Sequence, residues 1–295
     1  MLAGGSVTRP QLEQRFIEVD GSRLSYTVSG QGEPIVLIHG WAGFWEHILT
    51  VAQPATDFQL WAFDMPGWQH AGSLRDGNTL EAFDAALYRG LKALGLDRPV
   101  HLMGQSMGAI SALLFADRHP EMTAGLVLAS PPFSLLRRTP HKRLLRWGLA
   151  RALQVPPLMS VMAATHKTRW YNYWMTRTTA FYRFDPWFFE QVILPSAQVC
   201  DERTSLSHTL SMLDIDPWRL APRIPAPTAI IIGDCDPVIS VRTAREAVRL
   251  FPQGRLFILH KAKHAIMMER AADLCDVTFR FLRETSQPAP RLPVA

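Results

Sequence analysis

Ser106 lies in the run Gly104-Gln105-Ser106-Met107-Gly108, after the apolar stretch Val100 to Met103 and before small and apolar residues at helical spacing, Ala109, Ala112, Leu113 and Ala116. A serine between two glycines at a strand-to-helix turn is the setting of an exposed nucleophile. The turn is tight enough that a side chain at Gly104 or Gly108 would collide with backbone, and the serine itself is pressed toward strained φ and ψ. A serine hydroxyl attacks a carbonyl carbon at neutral pH only with a base in hydrogen-bond reach, and that base needs an acid to orient it. In sheets of parallel strands, ligands bind beyond the carboxyl ends of the strands, so partners are sought directly after later apolar runs. Ala229 to Ile232 leads into Gly233-Asp234-Cys235-Asp236-Pro237, and Leu256 to Leu259 leads into His260-Lys261-Ala262-Lys263-His264. Asp236 or Asp234 is thus the candidate acid, and His264 or His260 the candidate base. His260 and His264 have the spacing of a helical zinc pair, but they lack an adjacent glutamate and follow a strand, so no metal site is expected.

These groups need elements to hold them. Arg15 to Val19 and Arg23 to Ser29 alternate and carry β-formers, with Asp20-Gly21-Ser22 as the hairpin turn, which predicts an antiparallel start. From Pro34 onward the apolar runs become short and continuous: Ile35 to Ile38, Leu60 to Phe63, Val100 to Met103, Leu126 to Leu128, Ala229 to Ile232 and Leu256 to Leu259. Such runs suit strands buried on both faces of a parallel sheet. Helical stretches separate several of them, such as Leu80 to Leu94 with apolar residues at 80, 83, 87, 91 and 94. The fold class is therefore α/β, with helices on both faces of a mostly parallel central sheet. Alternation stops after Ser130-Pro131-Pro132 and resumes near Thr228. The expected division is a core of residues 15–132 and 222–285, an inserted helical cap over 133–221, and flexible tails at 1–14 and 286–295.

The quoted segments resemble the α/β-hydrolase superfamily over nearly the whole chain apart from the cap and both tails. That resemblance, through the family pattern G-x-x-D-P, implies Asp236 as the acid. It implies His264 as the base, with Glu269 five residues later and Lys263 where glycine is usual. It also assigns the oxyanion-holding N–H groups to Met107 and to Trp41, which follows His39-Gly40, and it places Gly40 and Trp41 against the substrate. His39 itself reads as a structural residue at the base of that loop, and Asp64-Met65-Pro66-Gly67 resembles the family's D-x-P-G turn. Relatives that cleave carbon–halogen bonds or epoxides carry Asp in the nucleophile position, so Ser106 implies instead a hydrolase of carboxylic esters working through a covalent acyl-enzyme. Thioester or carbon–carbon bond hydrolysis on the same three residues, and a non-catalytic ligand-binding protein of the same fold, stand as alternatives. The chemistry implied requires no metal and no organic cofactor.

Composition bounds the partners. The chain has 295 residues, 47% apolar and 19% charged, which fits a globular protein and excludes disordered classes. Lys and Arg number 31 against 26 Asp and Glu, an excess too small to indicate nucleic acid. Three cysteines without CxxC spacing suggest neither a disulfide framework nor a zinc site, and Cys235 reads as a filler. No apolar run approaches the roughly 18 residues of a membrane span. The first residues lack the pattern of a secretory signal, so a cytoplasmic protein is expected.

Charge is uneven: residues 133–221 hold 12 basic and six acidic side chains. Arg137, Arg138, Lys142, Arg143, Arg146 and Arg151 interleave with leucines as in a basic amphipathic helix. A solvated face, an anionic membrane surface and an acidic acyl-carrier partner all fit that pattern. The chain also weakly resembles the carboxylesterases that demethylate acyl chains held on acyl carrier protein, which favours the carrier among partners. The cap is rich in large apolar groups, and Trp147, Trp170 and Trp174 are expected to line the substrate pocket with Trp41.

Overall fold

The structure is a computed structural model that describes residues 13–40, 57–68, 71–137 and 139–286. Eight strands form one sheet: β1 (Gln14–Val19), β2 (Ser22–Gly30), β3 (Glu33–Ile38), β4 (Phe58–Phe63), β5 (Val100–Gln105), β6 (Thr123–Ala129), β7 (Thr228–Gly233) and β8 (Gly254–Leu259). Their order across the sheet is β1-β2-β4-β3-β5-β6-β7-β8. The pairs β1–β2 and β2–β4 are antiparallel, and every other neighbouring pair is parallel. Asp20 and Gly21, both with positive φ, make the two-residue turn between β1 and β2, as the Asp-Gly signal requires. Gln14, expected in the tail, is the first residue of β1, because its pairing with Thr27 extends the hairpin by one residue.

The continuous apolar runs have a simple cause. Successive side chains of a strand point to opposite faces, and here both faces are covered. Val36, Ile38, Leu102, Leu126, Leu128, Ile230 and Ile232 pack on one side, while Ile35, Leu37, Met103, Val127, Ala129 and Ile231 pack on the other. Burial of each Val, Leu, Ile or Met among them stabilises by roughly 1.5–3 kcal/mol. The first face is covered by α1 (Leu80–Ala93), which turns Leu80, Phe83, Leu87 and Leu91 inward, and by α2 (Met107–Arg118). Thr79 caps α1 by accepting from the N–H of Ala82.

Between β6 and β7 every regular element is helical, including α3 (Pro140–Gln154), α4 (Pro156–His166), α5 (Arg169–Met175) and α6 (Glu202–Asp214). Both ends of this stretch are anchored in the core: Phe133 and Leu136 at one end, Ile215 and Ala221 at the other, are buried in the first cluster. Trp218 closes the join by donating its indole N–H to the carbonyl of Phe133. The second face of the sheet is covered by α7 (Ala271–Ser286), which buries Leu274, Phe279, Phe281 and Leu282. Among the described residues no helix is long and apolar enough to cross a membrane.

Candidate active site

Strand β5 ends at Gln105, and α2 begins at Met107, so Ser106 alone makes the turn, with φ 51° and ψ −116°. For a non-glycine residue that backbone is strained, and its surroundings leave no alternative. A Cβ at Gly104 would overlap the backbone of Gly108 and Ala109, and one at Gly108 would overlap the carbonyls of Ile38 and His39. The Ser106 N–H is held by the carbonyl of Ala129 at the end of neighbouring β6, at 2.9 Å. The hydroxyl is thereby presented beyond the carboxyl edge of the sheet.

His264 and Asp236 arrive from the ends of the last two strands. His264 Nε2 lies 2.9 Å from Ser106 Oγ, and its Nδ1 lies 3.0 Å from Asp236 Oδ2. The Asp236 side chain is fully buried, and its Oδ1 also accepts the N–H groups of Val238 (2.7 Å) and Ile239 (3.2 Å). Those two donors fix the carboxylate before the imidazole reaches it. The competing candidates pair with each other elsewhere. His260 Nδ1 lies 3.2 Å from Asp234 Oδ2, with the His260 side chain 83% exposed.

Met107 opens α2, so its N–H belongs to the first-turn donors that have no intrahelical acceptor and stay available to a ligand. Trp41 lies outside the described residues. Gly40, expected against the substrate, is not among the residues lining the cavity at Ser106; it is buried against the end of β5, where a Cβ would strike the Gln105 side chain. His39 is occupied on both nitrogens: Nε2 accepts the Met65 N–H at 2.9 Å, so Nδ1 carries the proton and donates to the Gly40 carbonyl at 2.8 Å. Burial lowers its pKa to about 4, which keeps it neutral.

The loop that carries His264 is bound to the helical insertion. Lys263 Nζ donates to the carbonyls of Arg177 (3.1 Å) and Thr178 (2.9 Å), and its N–H donates to Glu269 at 2.8 Å. The same Glu269 accepts the N–H groups of Tyr182 and Arg183, and the N–H of His264 donates to the Thr179 carbonyl. Lys263 is not among the residues with positive φ, whereas Lys261 is, so the glycine usual at this position is not demanded by backbone shape here. Cys235, expected as a filler, is instead exposed, and its thiol pKa is raised by Asp234, to which it is hydrogen-bonded.

A cavity of about 410 Å³ opens on Ser106 and His264. Its wall is largely apolar, with Leu135, Leu149, Met159, Met162, Met175 and Leu206, and it also carries His166, Tyr171 and Glu202. Trp147, Trp170 and Trp174, expected in the pocket, do not line it. They are 63%, 71% and 53% exposed on the outer side of the insertion, because their helices turn methionine, leucine and Tyr171 inward instead. His166 and Glu202 belong to none of the sequence motifs described above. The signal that finds Glu202 is helical spacing, since 202, 205, 206, 209 and 212 form one stripe of α6 and all of them line the cavity.

Residues 33–271 match the sequence pattern of the family described as alpha/beta hydrolase fold. The chain belongs to the alpha/beta hydrolase fold family. As a member of that family it is similar to a 2-hydroxy-6-oxo-6-(2'-aminophenyl)hexa-2,4-dienoic acid hydrolase of Metapseudomonas resinovorans, at 24% identity over 91% of this chain and 90% of the relative. It is also similar to a pimeloyl-[acyl-carrier protein] methyl ester esterase of Chromobacterium violaceum, at 27% identity over 83% of this chain and 92% of that protein. Among solved structures, a thermophilic esterase from Thermogutta terrifontis superposes with a TM-score of 0.78 and 21% identity, covering 93% of this chain and all of that one. This last likeness is one of fold. An alpha/beta hydrolase whose relatives are esterases and other hydrolases is itself a hydrolase.

Proposed function

We propose that this hydrolase cleaves a carboxylic ester with an apolar acyl group through Ser106, His264 and Asp236. The observation that carries the reading is the row of hydrogen bonds from Asp236 through His264 to Ser106 at the mouth of a mainly apolar cavity. His264, oriented by Asp236, takes the Ser106 proton as Oγ attacks the carbonyl carbon. The oxyanion is held by the Met107 N–H and the N–H of Trp41, each worth on the order of 3 kcal/mol in the transition state. The protonated imidazole gives its proton to the departing alcohol. Water, deprotonated in turn by His264, then attacks the acyl-enzyme and frees the acid and Ser106. In this reading residues 133–221 are a cap over a core of 15–132 and 222–285.

The cavity wall supports an ester over the carbon–carbon reading that the dienoic acid hydrolases suggest. An acid entering this cavity would bring its carboxylate toward that of Glu202, and like charges in a poorly solvated site repel strongly. For a partner, the pimeloyl-carrier esterases support an acidic acyl carrier docked on the basic insertion. Arg137, Arg146 and Arg169 are already paired with Glu246, Asp214 and Glu190, so the docking charge falls to exposed residues such as Arg143 and Arg151 on α3. Its signature is turnover that falls with salt for a carrier-bound ester and not for a short neutral one.

The reading is tested with p-nitrophenyl esters of increasing acyl length beside matched methyl esters, thioesters and amides. A maximum of kcat/KM among the oxygen esters at one chain length is the expected result. Turnover confined to thioesters, or to none of the four classes, contradicts it.

A further inference from the structure

The cavity holds a polar pair that the Ser106 chemistry does not use. His166 is the last residue of α4 and Glu202 the first of α6, and His166 Nδ1 lies 2.7 Å from Glu202 Oε2. Glu202 is only 9% exposed. A helix N-terminus favours a carboxylate, which explains why the fold tolerates Glu202 at the start of α6. It does not explain why both side chains face the cavity rather than solvent. Among the described residues Glu202 Oε1 has no hydrogen-bond partner, so the pair presents an unused acceptor to the substrate space. Tyr171 stands beside it, its ring 4.9 Å from that of His166. Burial and the charge of Glu202 raise the phenol pKa, so it remains a donor throughout the neutral range.

We propose that Glu202, held by His166, forms with Tyr171 a subsite on the insertion side of the cavity that selects acyl groups bearing a neutral hydroxyl. The hydroxyl donates to Glu202 Oε1 and accepts from the Tyr171 phenol, so it uses both groups at once. A carboxylate is repelled by Glu202. An ammonium would have to shed a full hydration shell among methionines and leucines, against a carboxylate already shared with His166, and a neutral hydroxyl sheds far less. A site built to hydrogen-bond a hydroxyl discriminates strongly against the analogue that lacks it, because its own polar groups are then left unpaired.

This inference rests on the serine-esterase reading, and two arms separate the fates of the two. In the first, kcat/KM is measured for p-nitrophenyl esters of increasing length, each in methyl-terminated, ω-hydroxy, ω-amino and ω-carboxy form. At the length that reaches Glu202 the hydroxy-to-methyl ratio is expected to exceed its short-chain value by about tenfold or more. Tyr171→Phe and Glu202→Gln should each return that ratio toward the short-chain value. In the second arm, calorimetry with Ser106→Ala measures affinity for the corresponding methyl esters, and the ω-hydroxy form should bind more tightly than the methyl-terminated one. A ratio flat with length, a ratio unmoved in both variants, or a preference for the ω-amino or ω-carboxy form overturns the subsite. Tighter binding of the hydroxy ester by Ser106→Ala, with no ester turned over by the unaltered protein, overturns the esterase reading and leaves the subsite standing.

Discussion

Lys263 Nζ lies 2.9 Å from the carbonyl oxygen of Thr178, joining the residue next to His264 directly to the helical insertion. The base of the proposed triad is therefore positioned from two sides. Asp236 holds the ring, while the insertion holds the loop through Lys263, Glu269 and the His264 N–H.

Replacing Lys263 tests that joint. Both carbonyl contacts are charge-assisted but solvent-exposed, so their weight lies in geometry more than in stability. Lys263→Met should lower kcat/KM on the order of fivefold while shifting the unfolding temperature by less than about 3 °C, and Lys263→Arg should recover part of the loss. Ester kinetics beside thermal unfolding check this, and Lys263→Met kinetics equal to wild type would show that the joint has no part in positioning His264.

The two aspartates after β7 make a sharper comparison. Asp236→Asn keeps an oxygen for the N–H groups of Val238 and Ile239 but no longer holds the imidazole in its working tautomer. It should cut kcat on the order of 10³- to 10⁴-fold in a folded protein. The Asp234 carboxylate meets the exposed His260, the N–H groups of Lys261 and Ala262 and the neighbouring Cys235 thiol, none of them part of the Ser106 row, so Asp234→Asn should stay within about twofold of wild type. Matched losses in the two variants would refute the assignment.

Much of this was legible in the residues themselves. Strands β3 to β8 announce themselves because both sheet faces are covered, so their runs are almost wholly apolar, with the buried His101 of β5 the exception, and the Gly-x-Ser-x-Gly turn is legible because its sterics admit only glycine at 104 and 108. The choice of Asp236 over Asp234 needed more, since both follow the same strand. Asp236 turns inward onto two N–H groups while Asp234 stays near solvent. The cavity wall was poorly legible. Aromatic content says nothing about which side of a helix faces inward, so it points to Trp147, Trp170 and Trp174 for a pocket they do not line. His166 and Glu202 lie 36 positions apart on different helices, and nothing local in either segment announces the pair.

Acid should destabilise the fold through two buried imidazoles. His39 has its pKa lowered to about 4 by burial, and His208, which accepts the Trp68 indole N–H, has its pKa lowered to about 3 by burial and then by His39. Above pH 6.5 both are neutral in the folded and unfolded chain and contribute no pH dependence. As pH falls below 6.5 the unfolded chain takes up protons that the folded chain refuses, so stability declines, by about 2 kcal/mol per histidine at pH 5. His208→Asn keeps an acceptor for Trp68 and removes one of these groups. Urea unfolding at pH 7 and pH 5 should therefore register a drop about 2 kcal/mol smaller in the variant. An equal drop in both proteins would contradict the prediction.

Covalent capture of Ser106 is the most direct test of the whole account. Incubated with a fluorophosphonate and weighed intact by mass spectrometry, the wild-type chain should gain one phosphonyl group per molecule, rapidly and on Ser106, while Ser106→Ala gains none and His264→Ala gains it far more slowly. A folded wild-type protein that stays unlabelled, or Ser106→Ala labelling at the wild-type rate, would contradict the claim that His264 and Asp236 make this serine a nucleophile.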